Sequence, residues 1–194
     1  MELVKTISNN KIIKIFLISL MGSILLTISA KIKIPFYPVP MTMQTFVVLF
    51  LGISFGWKIG LATISLYLFQ GIIGLPVFAG TPEKGMGLIY FTGPTMGYLI
   101  GFLLAVYSAG IHKDLISFKN YNYINALTVF SSLIVSVSFI YILGLLWLGY
   151  LIGWDKPIFK LGAEPFLLAE LFKIMLLLFL IPTFLKIKKI IKIT

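Results

Sequence analysis

Two charged residues stand close together in the last apolar segment of the chain, Glu170 and Lys173. They are three positions apart, so a helix would place both side chains on one face. Placing either charge at mid-bilayer depth costs about 2.5–3.5 kcal/mol, and such residues usually face a cavity or a partner. The pair therefore predicts a polar binding site inside the chain. A structural ion pair, or a lysine that extends to the membrane surface, is the alternative.

A second group of polar side chains lies where a proline-rich segment enters an apolar one. Pro35, Pro38 and Pro40 hold the backbone extended or turned, and Thr42 and Gln44 follow directly. The Gln44 amide offers both donors and an acceptor. We expect Thr42 and Gln44 to bring uncharged hydrogen-bonding groups to the site. Helix capping or contact between helices is the alternative for Gln44.

The segment 75–85 is rich in glycine and proline and carries Lys84 near its tip. Irregular backbone at membrane depth is tolerated where it is buried or lines a cavity. Lys84 is the candidate cation for an anionic group of a ligand, and an ordinary surface charge is the alternative. Further along, Gly93, Gly97 and Gly101 recur every four residues, which favours close helix packing over ligand contact.

The sequence contains few of the residue combinations that catalyse reactions. There is no cysteine, and the single histidine, His112, lies among polar residues and is expected to be an ordinary surface residue. The phosphate-binding pattern G-x-x-x-x-G-K-[ST] is absent from the sequence, so the chain cannot hydrolyse ATP itself. We predict neither an enzyme nor a bound cofactor or metal.

The composition is that of a membrane protein. Of 194 residues, 59% are hydrophobic and 11% charged, whereas soluble domains have about 25% charged residues. The net charge of +10 comes from lysines that lie between and beyond the apolar segments. Lysines that anchor membrane helices have the same distribution. Nucleic-acid binding would need a basic face on a soluble fold, so we exclude it.

A transmembrane helix needs about 20 largely apolar residues, and six segments fit. The candidate spans are 12–30, 41–56, 58–75, 88–110, 124–149 and 165–185. The break between the second and third depends on Gly56-Trp57-Lys58, so five spans are the alternative. We predict an all-α integral membrane bundle of six transmembrane helices, forming one domain over residues 1–194 with short tails at about 1–11 and 186–194.

Lysine counts set the predicted orientation. With six spans, the tails and even-numbered loops share one face and carry ten lysines, whereas the odd-numbered loops carry five. Because lysine-rich loops favour the cytoplasm, we predict a multi-pass cell-membrane protein with both termini cytoplasmic. The structured loops 34–40, 75–85 and 153–164 then face outward, where a protein that captures a solute would place its site.

Small side chains recur along the first span at Ser19, Ser23 and Thr27. Their spacing lets another helix approach closely. We predict that a partner subunit docks on this face, and packing inside the same bundle is the alternative.

Several of these segments together resemble one known family, BioY, over roughly residues 30–180. The matching motifs occur in the family's order and on the predicted outer side. They are Ile34-Pro35, Pro38-Val39-Pro40-Met41-Thr42-Met43-Gln44-Thr45, Gly71-x-x-Gly74-Leu75-Pro76-Val77-Phe78-Ala79-Gly80, Gly93-Pro94-Thr95-x-Gly97-Tyr98-Leu99-x-Gly101-Phe102, and Pro165-Phe166-Leu167 with Lys173.

BioY proteins are the biotin-specific S components of energy-coupling factor (ECF) transporters. The resemblance implies a six-helix S-component fold that binds biotin from outside. It also implies partners, namely one transmembrane coupling subunit and two ATPase subunits that dock on the first helix, with membrane lipid around the bundle. The family commonly has Asp three residues before the last-helix lysine, where this chain has Glu170. Leu99 stands where some members have an arginine.

The groups of biotin match the candidate residues. Its ureido ring has two N–H donors and a carbonyl, for which Glu170, Lys173 and Gln44 are expected partners. Its carboxylate needs a cation, for which Lys84 is the candidate. Its apolar part needs a wall, and the candidates are Phe36, Tyr37, Phe78 and Tyr98. The rival interpretations are an S component for another vitamin, a structural subunit without ligand, and a membrane-embedded enzyme.

Overall fold

The structure is a computed structural model, and it describes residues 11–111 and 123–191. Within these ranges the chain forms α-helices joined by short irregular segments. The helices are α1 (Lys11–Lys31), α2 (Gln44–Phe55), α3 (Trp57–Ile72), α4 (Met96–Ile111), α5 (Tyr123–Ile152), α6 (Ile158–Gly162) and α7 (Glu164–Ile191). The predicted N-terminal tail and His112 lie outside the described residues.

Two short elements flank the helices at one end of the bundle. Strands β1 (Lys33–Ile34) and β2 (Met41–Thr42) pair antiparallel between α1 and α2, with Lys33 opposite Thr42. A 3₁₀-helix (Gly87–Thr92) precedes α4. The sequence predicted neither the strand pair nor α6, because elements this short carry no hydrophobic period.

Gly56 separates α2 from α3, where the sequence predicts a break. Its φ angle of 83° lies in the left-handed region, which glycine adopts without the steric cost of a Cβ atom. The Gly56 N–H donates to the Gly52 carbonyl at 2.8 Å, which closes the last turn of α2. The second and third apolar segments are therefore separate helices.

The predicted fourth span, 88–110, is wrong at its start. Residues 87–92 form the 3₁₀-helix, and α4 begins only at Met96. Gly93-Pro94 explains the break, because proline lacks an N–H and disfavours helical backbone at the preceding residue. As a result α4 has 16 residues, fewer than the prediction assigned.

Two other predicted boundaries also need correction. The second span was expected from residue 41, but Met41 and Thr42 form β2 and α2 starts at Gln44. The last span was expected to end near 185, whereas α7 continues past Pro182 to Ile191. The helix therefore continues into residues 186–191, which were predicted as part of the C-terminal tail.

The glycines of α4 bring this helix close to α5, as their four-residue spacing predicts. A Cβ atom at Gly101 would lie 2.6 Å from the Ile140 Cα atom, and one at Gly97 would collide with the Leu143 carbonyl. Only hydrogen fits at these positions. The close approach fixes Ile140 and its neighbour Tyr141 relative to α4.

The side chains of Ser19 and Ser23 are buried within the helix bundle. Their exposed fractions are 3% and 0%, and Thr27 is half-buried. The neighbouring Gly22 faces α3, because a Cβ atom there would lie 2.6 Å from the Thr63 Cγ2 atom. The predicted docking face is thus wrong for Ser19 and Ser23, which serve the alternative, packing within the bundle.

The outer surface of the helices is strongly apolar. Two helical segments among the described residues, Ile12–Lys31 and Ala126–Ile152, are long and apolar enough to cross a bilayer. The apolar helices Gln44–Phe55 and Met96–Ile111 are shorter. Large side chains such as Leu168 and Phe179, both about 80% exposed, would be solvated by lipid rather than by water.

Candidate functional site

A cavity lies at one end of the bundle, where the N-termini of α2, α4 and α7 meet the C-terminal half of α5. Its empty volume is about 560 Å³, part of which is open to solvent. The lining residues are Val39, Pro40, Met41, Thr42, Gln44, Thr45, Phe78, Ala79, Tyr90, Thr95, Tyr98, Leu99, Phe102, Ile140, Tyr141, Phe166 and Glu170. The wall is mostly apolar with few polar groups.

Glu170 and Lys173 form a buried ion pair beside this cavity, so their predicted proximity is confirmed. The Lys173 Nζ atom lies 2.7 Å from the Glu170 Oε1 atom, and the side chains are only 4% and 6% exposed. Both residues follow the first turn of α7, on the same face three positions apart. The single carboxylate of the described cavity wall is therefore held by a neighbouring cation.

Three hydrogen bonds converge on one oxygen of the Glu170 carboxylate. Oε1 accepts from Lys173 Nζ, from Thr45 Oγ1 at 3.0 Å and from Tyr141 Oη at 3.2 Å. The other oxygen, Oε2, is buried and has no hydrogen-bond partner among the described residues. A buried acceptor of this kind costs free energy until a donor reaches it. The geometry leaves Oε2 for a donor that the described chain does not supply.

Lys173 has no N–H to spare for a ligand. Its ammonium donates to the Thr42 carbonyl at 2.7 Å, to Thr45 Oγ1 at 2.9 Å and to Glu170 Oε1. An ammonium has three donors, and all three are used. Lys173 therefore ties α7 to β2 and α2, and it holds the Glu170 carboxylate in place.

A second polar network starts at Gln44, which is 5% exposed. Its Nε2 atom donates to Tyr67 Oη at 2.7 Å, and Tyr67 Oη donates to the Val77 carbonyl at 3.1 Å. Its Oε1 atom accepts from Thr42 Oγ1 at 3.2 Å. One N–H of the Gln44 amide remains for a further acceptor. The network links β2, α2 and α3 to the 73–86 loop.

An aromatic wall closes the side of the cavity near the 73–86 loop. The Phe78 ring stacks on Tyr90 with centroids 4.7 Å apart and meets the Tyr67 ring edge-on at 5.3 Å. The backbone N–H of Gly80 donates to the Tyr90 hydroxyl at 3.3 Å. Burial raises the pKa of Tyr90, so this hydroxyl stays neutral.

Tyr98 and Phe166 form the opposite part of the wall. The Tyr98 hydroxyl donates to the Gly162 carbonyl at 2.8 Å, which holds α4 against α6. The Tyr98 ring meets Tyr141 edge-on at 6.0 Å, and Tyr141 lies 6.4 Å from Phe166. Tyr98 and Phe78 are thus placed where the sequence analysis expects wall residues.

Three predicted residues lie away from the described cavity lining. Tyr37, in the turn between the strands, is 90% exposed, and Phe36 packs edge-on against Phe166 from outside at 5.7 Å. Lys84 is exposed; its backbone N–H donates to the Gly80 carbonyl, and the stem of its side chain lies beside Gly80. None of the three is among the residues that line the cavity, and their part in binding stays a prediction.

Sequence reasoning missed the tyrosines that support Glu170, Gln44 and Phe78. Tyr67, Tyr90 and Tyr141 lie in apolar segments, where a tyrosine is more often a packing residue. Their partners are far away in sequence, so no local pattern marks them. Lys31 and Lys33 were also missed as contacts of the 73–86 loop, because they were counted only as charges.

The fold and the site together define the class of protein. A crystal structure described as the S-component for biotin from an ECF-type ABC transporter matches with a TM-score of 0.75, covering 92% of this chain and 94% of that chain. The sequence identity is 24%. The chain is a mostly helical membrane protein with the S-component fold.

The sequence comparisons give the family. The BioY family model matches residues 4–190. The chain is 34% identical over 149 residues to the "Probable biotin transporter BioY" of Pyrococcus horikoshii, covering 77% of this chain and 82% of the relative. It is 33% identical over 150 residues to the "Biotin transporter BioY" of Thermotoga maritima, covering 77% and 83%. The chain belongs to the BioY family, which confirms both the resemblance and the prediction that it is not an enzyme.

Proposed function

We propose that this chain binds biotin in the cavity and delivers it as the S component of an ECF-type importer. The observation that carries the proposal is the buried Glu170 carboxylate, whose Oε2 atom lacks a partner among the described residues in a largely apolar cavity. A ureido ring supplies the neutral N–H donors that this oxygen requires. The names of the relatives support the same ligand.

Each polar residue then has a distinct part in binding. Glu170 Oε2 accepts a ureido N–H, and the remaining N–H of Gln44 donates to the ureido carbonyl. Lys173 acts through Glu170 and Thr42 rather than by direct contact, since its three donors are used. Phe78 and Tyr98 enclose the apolar rings, and Phe36 and Tyr37 extend that wall at the rim. The sequence makes Lys84 a candidate for the biotin carboxylate, but its side chain is exposed and does not line the cavity, so no part in binding is assigned to it.

The proposal includes a membrane arrangement. Six helices, α1 to α5 and α7, cross the bilayer as one domain over residues 1–194, with both termini cytoplasmic and the cavity facing outward. The apolar outer surface supports lipid contact. The energy for import would come from a transmembrane coupling subunit and two ATPase subunits, for which Thr27 is the remaining predicted docking residue of α1.

The substrate can be identified directly by what the protein retains on purification. We expect mass spectrometry of the extract from protein purified in mild detergent, from cells grown with biotin, to detect biotin at about one molecule per chain. Protein from cells grown without biotin serves as the control. Recovery of another vitamin would favour the alternative, an S component for that vitamin. A folded sample that retains nothing and cannot be loaded with biotin would contradict both.

Removal of the Tyr141 hydroxyl is expected to weaken biotin binding about tenfold. A single hydrogen bond contributes about 1 kcal/mol, somewhat more when one group is charged, and 1.4 kcal/mol corresponds to tenfold in affinity. The change is Tyr141→Phe, measured by titration of the purified protein. The control is Tyr150→Phe on the same helix, because Tyr150 is 77% exposed. Equal affinities for the two variants would show that Tyr141 does not position Glu170.

A further inference from the structure

Two lysines hold the 73–86 loop next to the cavity, and they differ in how many donors they use. The Lys31 ammonium donates to the Phe78 carbonyl at 2.9 Å, the Thr81 carbonyl at 3.1 Å and Thr81 Oγ1 at 3.3 Å. These three acceptors use its three N–H groups. Lys31 is therefore a structural tether between the end of α1 and the loop.

Lys33 has donors left. Its ammonium donates to the Ala79 carbonyl at 2.9 Å, and it lies 3.7 Å from a carboxylate oxygen of Glu83. That second distance is too long for the charge-assisted hydrogen bond of about 2.7–2.9 Å that a strong pair forms. The Glu83 side chain is 76% exposed, so water and salt weaken this ion pair further. Another carboxylate could replace Glu83 at small cost.

The position of Lys33 brings this spare charge to the cavity mouth. Lys33 is opposite Thr42 in the strand pair, and residues directly opposite in an antiparallel pair present their side chains on the same face. Thr42 lines the cavity, and so does Ala79, whose carbonyl Lys33 contacts. The Lys33 side chain is 33% exposed. It is thus reachable by a ligand and is partly shielded from water.

The two ends of the site differ in charge. At the inner end, Glu170 is balanced by Lys173, so this end favours a neutral polar group. At the rim, Lys31 and Lys33 stand against the single carboxylate of Glu83 within the described residues of the loop and strands. A ligand with a neutral ring at one end and an anionic tail at the other fits this pattern.

We infer that Lys33 binds the carboxylate of the ligand's tail at the cavity mouth, in exchange for its weak contact with Glu83. The inference depends on the proposed function and adds to it the residue that selects an anionic tail. Lys84 is the competing candidate. Neither lysine is among the lining residues, but only Lys33 stands opposite one of them, Thr42, in the strand pair.

The inference is tested by titrating the wild type, Lys33→Met and Lys84→Met with biotin and with biotinamide, in which a neutral amide replaces the carboxylate. We expect the wild type to prefer biotin. Lys33→Met should weaken biotin binding about tenfold and leave biotinamide binding within about twofold of its original affinity. Lys84→Met should leave both unchanged, and Lys33→Arg should restore the preference because it keeps the charge.

Other outcomes would overturn the inference. Equal losses for biotin and biotinamide in Lys33→Met would mean that Lys33 only supports the loop. A selective loss in Lys84→Met would assign the carboxylate to Lys84. If the wild type binds biotin and biotinamide equally, no residue selects the carboxylate of the tail. That result would overturn the inference but not the proposed function. A wild type that binds neither would overturn the proposed function with it.

Discussion

Replacing Glu170 with glutamine is expected to lower the free energy of unfolding by about 3–5 kcal/mol, because it removes one partner of a buried ion pair and leaves the other charge uncompensated. Lys173 is 4% exposed, so water cannot take the place of the lost carboxylate. Lys173 would keep its bonds to the Thr42 carbonyl and Thr45, which offset part of the loss. Thermal unfolding in detergent, with ligand removed, is the measurement.

A double variant separates this structural effect from binding. Glu170→Gln with Lys173→Met removes both charges and keeps side chains of similar shape, so we expect most of the stability to return. Glu83→Gln is the matched control, because it removes the same group from an exposed ion pair, where such pairs contribute about 0–1 kcal/mol. Equal unfolding temperatures for Glu170→Gln and Glu83→Gln would mean that the buried pair does not stabilise the fold.

The second large effect is expected at Gly101, where α4 touches α5. An added Cβ atom would lie 2.6 Å from the Ile140 Cα atom, so Gly101→Ala must push the two helices apart. Overpacking of this kind costs about 1–3 kcal/mol. Because Ile140 and Tyr141 line the cavity, we also expect biotin affinity to fall by about tenfold or more. Thermal unfolding and a biotin titration measure the two effects.

Leu104 provides the control on the same helix. It is 42% exposed, so Leu104→Ala is expected to change stability by less than about 1 kcal/mol. Gly101→Ala should be clearly the less stable of the two. If the variants unfold at the same temperature and bind biotin alike, the glycine face of α4 does not set the position of α5.

The local parts of the site could be predicted from sequence. Glu170 and Lys173 are three residues apart, and the geometry of a helix alone brings them together. The break at Gly56 and the packing face of Gly97 and Gly101 follow from backbone freedom and small size, which the residue type itself carries. These are short-range properties, and the structure agrees with them.

The long-range parts could not be predicted in the same way. Thr45 and Tyr141 reach Glu170 across 125 and 29 residues of chain, and only the packing of α2, α5 and α7 decides that they meet. Tyr141 has no polar neighbour in sequence to mark it. For the same reason Lys33 was counted only as a charge. Its contact in the 73–86 loop, the Ala79 carbonyl, is 46 residues away in sequence.

Two predictions failed because the composition of a segment fixes neither where its helix begins nor which neighbour the helix packs against. The apolar segment that begins at residue 88 contains Gly93-Pro94, and the local backbone preference of proline outweighed the continuous hydrophobicity. Ser19 and Ser23 have the small size that a docking face needs, but the same size suits packing against α3. Composition shows that a helix can approach there, and it does not show which helix.

The most direct test of the account is a calorimetric titration with biotin of the wild type and of the double variant Glu170→Gln/Lys173→Met. The account predicts one saturable site per chain in the wild type. For the folded double variant it predicts an affinity lower by about 100-fold or more, since losing a buried charged partner costs about 2–5 kcal/mol. Wild-type affinity in the double variant would contradict the account, because the ureido ring could then not bind at Glu170.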